Sequence, residues 1–269
     1  MTRADELDPL ESLWAWLAVE LRGRREEHGQ SQTQIGKHLG YGRAAVHNYE
    51  SGIRNLDIDD AKKLDAWWST GGIFERLVTH ASREHDSGWF EQFVRYEQRA
   101  RVLRIYETLV IPGLLQTPEY ARAFLTAGGV EDLEGNVTRR MERQTVLDRE
   151  PPPRLWVLLE ESLLSRPMGS HATMRAQLGH LLNAAARPNI SIRIVPTGAG
   201  GHVGLDGAFQ IIETASDTVA YLEAQSGGRL DRSSKRVDRM RVTYDRIGAQ
   251  ALPERLSAEL ITRAMENMQ

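Results

Sequence analysis

The chain has 269 residues, 41% hydrophobic and 26% charged, with a formal net charge of −3. It has no cysteine, which excludes disulfides and thiolate metal sites. The balance of charge excludes a protein that coats nucleic acid by sheer basicity, so any such contact must come from a local patch.

The opening residues carry Asp5, Glu6 and Asp8 and no apolar run, unlike a signal peptide. No apolar stretch is long enough to cross a bilayer. The expectation is a soluble, cytoplasmic protein without membrane contact. Pro9 is predicted to open a first helix, with Leu10, Leu13, Trp14, Leu17 and Leu21 on one face and an end near His28-Gly29. Ser31 is a predicted N-cap for a second helix, Gln32 to Leu39. Gly40-Tyr41-Gly42 breaks it, and a third helix runs from Arg43 to Glu50, stopping at Ser51-Gly52. Asp57 or Asp59 starts a fourth, which carries Ala61, Leu64, Trp67 and Trp68. Gly71-Gly72 separates it from a fifth, Ile73 to Ala81. The indoles of Trp14, Trp16, Trp67 and Trp68 are read as core packing rather than base-stacking platforms.

Residues 82–88 are polar and read as a linker. An amphipathic helix follows around Phe93, Val94 and Tyr96, and then helix and strand signals alternate. Strands are predicted in 102–110, 155–159, 190–194, 209–212 and 219–222, the last two forming a hairpin. Helices are predicted after Thr117-Pro118, over 135–149, over 171–186, and over 232–247 and 253–268. The fold class is therefore mainly α with an α+β C-terminal half. A five-helix N-terminal domain (10–81) precedes the linker and an α+β regulatory or dimerisation domain (89–269).

The chemistry concentrates between Leu21 and Arg54. Arg22, Arg24, Arg25, Lys37, Arg43 and Arg54 outnumber Glu26, Glu27 and Glu50 there. Two short helices joined by a glycine-containing turn, with Ile35, Leu39 and Val46 pointing inward, can present the third helix to a major groove. Arg25, Ser31-Gln32, Ile35-Gly36, Leu39-Gly40, Val46 and Glu50-Ser51-Gly52 together resemble the phage-repressor (Cro- and lambda-repressor-like, or XRE-type) helix-turn-helix. The resemblance implies that Gln32 holds a phosphate or supports the recognition helix, and that Arg43, Ala44, His47 and Asn48 face the groove. Arg43 suits a guanine edge, Asn48 suits adenine, and Arg54 suits a phosphate. Arg25 and Glu50 match a structural ion pair of the family. Gly36 stands where Ala is common, at a cost of about 1 kcal/mol in helix propensity.

The second half contains a long particular string, Ile111-Pro112-Gly113-Leu114-Leu115-Gln116-Thr117-Pro118-Glu119-Tyr120-Ala121. Arg140, Arg143-Gln144, Glu160-Glu161, Pro188-Asn189-Ile190 and Gly204-Leu205-Asp206-Gly207 accompany it. This part resembles the C-terminal domain of actinobacterial WhiJ-type, antitoxin-like regulators. That resemblance implies regulation, often with a small acidic partner protein, and no settled ligand; with the helix-turn-helix, the expected partner is double-stranded DNA, and the C-terminal domain is expected to dimerise or to bind a small-molecule effector or a partner protein. A homodimer on a pseudo-palindromic operator is the expected assembly, and an antitoxin-like module capturing a partner protein is the alternative. His202 and Asp206 lie in a glycine-rich stretch read as a flexible turn. Glu160 and Glu161 are neighbours in a strand, so they are expected on opposite faces. No nucleophile elbow, phosphate loop or His-x-x-x-His pair is present, so no catalytic residue, cofactor or metal is assigned.

Overall fold

The computed structural model describes residues 7–82, 89–223 and 228–268. Apart from Ser82, the linker expected at 82–88 lies outside these residues. The chain forms two units, 1–89 with Arg229–Val237, and 90–228 with 238–269.

The first unit contains helices α1 (Leu13–Glu27), α2 (Gln32–Leu39), α3 (Arg43–Glu50), α4 (Ile58–Trp68) and α5 (Ile73–Ala81). Helix α1 begins at Leu13, not at Pro9. Ser12 is its N-cap, and the hydroxyl accepts from the Ala15 amide, satisfying a donor that proline does not address. Leu10 therefore falls outside the helical stripe and is 91% exposed. Helix α2 begins with a capping box in which Ser31 and Gln34 satisfy each other's backbone amides. It ends at Gly40, whose φ of 86° is a left-handed conformation that costs glycine little. Helix α5 has a glycine N-cap, and Asp65 of α4 supplies the missing acceptors to Phe74 N and Glu75 N at 3.0 and 2.8 Å.

These caps let one apolar core close between the five helices. Leu17 and Leu21 of α1 meet Ile35 and Leu39 of α2, Val46 and Tyr49 of α3, Leu64 of α4 and Phe74 of α5. Each such aliphatic side chain contributes about 1.5–3 kcal/mol of burial. The tryptophans divide. Trp68 is in the core, its indole N–H donating to Gln30, and Trp14 packs against it. Trp16 and Trp67 are exposed, which corrects their placement in the core. Trp67 immediately precedes Trp68, about 100° away around the helix, so it faces outward and stacks on His38 at 3.9 Å.

In the rest of the chain follow α6 (Trp89–Arg99), β1 (Val102–Glu107), α7 (Pro118–Ala127), α8 (Leu133–Gln144), β2 (Arg154–Glu160), the single turn α9 (Ser162–Ser165), α10 (His171–Ala185) and β3 (Ile190–Val195). The chain continues through β4 (Phe209–Glu213), β5 (Thr218–Leu222), β6 (Arg229–Asp231), α11 (Ser234–Gly248) and α12 (Glu254–Glu266). Strands β1 to β5 form a mixed sheet of order β3-β2-β1-β4-β5. β1, β2 and β3 run parallel through helical crossovers, whereas β4 is antiparallel to β1 and forms the expected hairpin with β5. On one face lie Ile105, Val157 and Ile192 with Gln210 and Tyr221, all in register. Glu107, two residues beyond Ile105, shares that face at the carboxyl end of β1.

Candidate nucleic-acid interface

Helix α3 divides by exposure as a helix docking into a groove must. Val46, Tyr49 and Glu50 are buried, whereas Arg43, Ala44 and His47 are exposed and Asn48 is half-buried. Arg43 occupies the first turn, directly after Gly42, an N-cap without a side chain. Gly42 has an ordinary φ of −79°, so of the two turn glycines Gly40 alone adopts the left-handed conformation.

Glu50 organises the polar side of this helix from a buried position, with 1% of its side chain exposed. Arg25 of α1 grips it with two hydrogen bonds, Nε to Oε1 at 2.5 Å and Nη2 to Oε2 at 3.1 Å. That hydrogen bond and Glu50's charge hold the Arg25 guanidinium above its ordinary pKa, against the desolvation that lowers it. Gln32 of α2 adds a third donor, its amide nitrogen giving to Glu50 Oε2 at 2.9 Å. Its amide oxygen then accepts from Arg43 Nε at 3.4 Å. The chain of contacts Arg25–Glu50–Gln32–Arg43 thus links three helices. Gln32 is turned towards the protein by two of its own bonds, and it holds Arg43 at the edge of the exposed face.

Arg54 lies beyond α3, its amide donating to Asn48 O at 3.0 Å and its guanidinium 5.8 Å from the centre of the Tyr49 ring. Burial raises the Tyr49 hydroxyl well above its usual pKa, with the Arg54 charge opposing. Gly36 has a steric reason. A Cβ there would come within 2.7 Å of Tyr41 O and 3.1 Å of the Gly42 backbone, so glycine lets the turn fold down onto α2.

Sequence reasoning missed a contribution from far along the chain. Arg232 donates to Gly52 O at 2.6 Å, just past α3. The Ser233 hydroxyl bonds the buried carboxylate of Asp57, and Lys235 pairs with Asp59 at 2.7 Å. These contacts span 176–180 residues, and no local pattern announces them.

In the C-terminal unit, the stretch around His202 is not a loose turn. His202 Nδ1 accepts from Gly204 N at 3.1 Å and its Nε2 lies 3.1 Å from Glu160 Oε1, which also accepts from Tyr106. Asp206 is exposed at the end of the same turn. Glu160 and Glu161 separate, since Glu161 instead receives Thr197 N at 2.7 Å. Among the described residues no group of three His, Cys, Asp or Glu side chains is placed to hold a metal ion, and no helix is long and apolar enough to cross a membrane.

Residues 90–263 match the family model described as Domain of unknown function (DUF5753). The chain belongs to the DUF5753 family. In this DUF5753 protein residues 16–66, from within α1 to within α4, match a second model, described as Helix-turn-helix domain. No curated protein matches the chain. The helix-turn-helix domain supports a DNA-binding transcriptional regulator with double-stranded DNA as its partner.

Proposed function

We propose that this DUF5753 protein is a sequence-specific, cytoplasmic transcriptional regulator. It binds a pseudo-palindromic operator as a homodimer, and its C-terminal unit senses a small molecule or a partner protein. The observation that carries the reading is α3 itself, a short helix with one face locked into the core by Val46 and Tyr49 and the other presenting Arg43, Ala44 and His47. Arg43, His47 and Asn48 read base edges, and Arg54 meets a phosphate. Gln32 and the Arg25–Glu50 pair hold the reading helix in place. Two copies of α3 enter successive major grooves about one helical turn apart, which is the role of the dimer. The XRE-type and WhiJ-type resemblances of the sequence agree with this division of labour.

Sequencing the genomic fragments that the protein retains, followed by titration of one such duplex at several salt concentrations, tests it. The expected result is an inverted-repeat site, two chains per duplex, and an affinity that falls steeply with salt. Indifference to every duplex at low ionic strength would sink the reading. Tight capture of a partner protein by a chain indifferent to DNA would favour the antitoxin-like alternative.

A further inference from the structure

The corner of the C-terminal unit where β1 ends carries polar groups that no element of the fold uses. Ligands of open α/β sheets gather at the carboxyl ends of parallel strands, and Glu107 ends β1. Glu107 is 4% exposed, and its Oε2 finds no hydrogen-bond partner. On the adjacent strand, diagonal to it on the same face, Gln210 buries an Oε1 that also has no partner. An amide oxygen can only accept, so what Gln210 lacks is a donor. Glu223 is two residues past Tyr221, and its charge reaches both Glu107 and Arg140. It is exposed, yet partial burial raises its pKa, opposed by the charge of Arg140.

Arg140 of α8 supplies the opposite need. Its guanidinium makes one hydrogen bond among the described residues, Nη1 to Gln116 Oε1 at 2.9 Å, and lies over the Phe124 ring. Desolvation and the neighbouring charge of Arg143 both lower its pKa. Arg143 is itself neutralised by two 2.8 Å bonds to Glu97, so Arg140 is the cation left without a carboxylate in contact. The loop beside it is prebuilt. Gln116 donates to Ile111 O, and Gln144 donates to both Gly113 O and Gln116 O. This loop is the particular string of the sequence, and its hydrogen bonds hold Gln116 beneath Arg140.

We propose that this corner binds a small zwitterion, its carboxylate paired with Arg140 and its ammonium group taken by Glu223, Gln210 and Glu107. The inference rests on the C-terminal unit being the sensing part. Its test reads ligand binding without DNA, so either can fail alone.

The full chain is titrated calorimetrically with glycine, β-alanine, γ-aminobutyrate and ε-aminocaproate, and with butylamine and butyrate as single-ended controls. One of the zwitterions is expected to bind at least about tenfold tighter than either control. Arg140→Met removes that preference, and Glu223→Gln, at a solvent-open position that does not threaten folding, weakens it about tenfold. Absence of binding by every zwitterion up to about 10 mM overturns the proposal, as does parent-like binding by both variants.

Discussion

Arg43 and Gln32 meet across the turn between α2 and α3, guanidinium to amide oxygen at 3.4 Å, while the other end of the same amide serves buried Glu50. Arg43 is thereby steered from behind. Arg43→Ala is expected to cost about 1–3 kcal/mol on the operator and little on random duplex. Gln32→Ala leaves Arg43 present but unsteered, so it should reduce the ratio of specific to non-specific binding less than Arg43→Ala does. Equal losses on both kinds of duplex in a competition titration would reassign Arg43 to phosphate contact.

Arg25→Met strands Glu50, a carboxylate with 1% of its side chain exposed, with Gln32 as its remaining side-chain partner. Removing one member of such a pair costs about 3–5 kcal/mol, whereas replacing both by apolar groups costs much less. Urea denaturation of Arg25→Met, Glu50→Leu and the double variant is expected to show strong coupling between the two positions. Additive losses would show that they act independently.

Gly36→Ala and Gly23→Ala separate helix propensity from steric fit. Gly23 sits in α1 with nothing within 4 Å of an added Cβ, so alanine there should stabilise by about 0.5–1 kcal/mol. At Gly36 the added atom meets backbone at 2.7 Å, and the expected outcome is a net loss of about 1–3 kcal/mol. A higher melting temperature for Gly36→Ala would refute the steric account.

The folding pattern of the N-terminal unit was largely legible because its signals are local. Ser31, Gly40 and Gly71-Gly72 mark ends that hydrogen bonding or left-handed backbone then uses. Pro9 misled because a proline tolerates a helix start without satisfying any amide, while Ser12 satisfies one. Trp67 misled because apolar character does not say which of two adjacent helical residues faces inward. The outward set on α3 came from the repressor-type resemblance, and of it Arg43, Ala44 and His47 are exposed while Asn48 is half-buried. Gln32's two hydrogen bonds, donated to Glu50 and accepted from Arg43, the ordering of His202 by Glu160, and β6 with three residues depend on tertiary contact, which periodicity does not encode.

Ser233→Ala tests a contact that spans 176 residues of sequence. Asp57 is buried, its Oδ1 accepts from Ser233 and its Oδ2 has no partner. Loss of the hydroxyl should destabilise the N-terminal unit by about 1–3 kcal/mol. Hydrogen exchange of the amides of α3 and α4 provides the readout, and unchanged protection there would show the contact to be dispensable.

Glu107 predicts a pH dependence. Burial, then the charge of Glu223, raise its carboxyl well above the ordinary 4.5, so the folded protein keeps a proton that the unfolded chain releases. Its contribution is complete below 4.5 and is lost as the pH rises towards the folded value, with a slope of at most about 1.4 kcal/mol per pH unit. Glu223, raised in the same direction and opposed by Arg140, adds to that slope, while Tyr120 and Tyr221, both raised, stay neutral across this range. Glu107→Gln is expected to flatten the stability profile above pH 4.5. A profile unchanged by the substitution would place the titration elsewhere.

The return of Arg229–Val237 to the N-terminal unit has a consequence for biosynthesis. The five helices leave the ribosome first, but Asp57 and the Gly52 carbonyl wait for Ser233 and Arg232. At about 5–20 residues per second, the 176–180 intervening residues make that wait roughly 9–36 s. During it α3 is already made while the loop that follows it still lacks these partners, so the N-terminal unit is completed only when most of the polypeptide has been made.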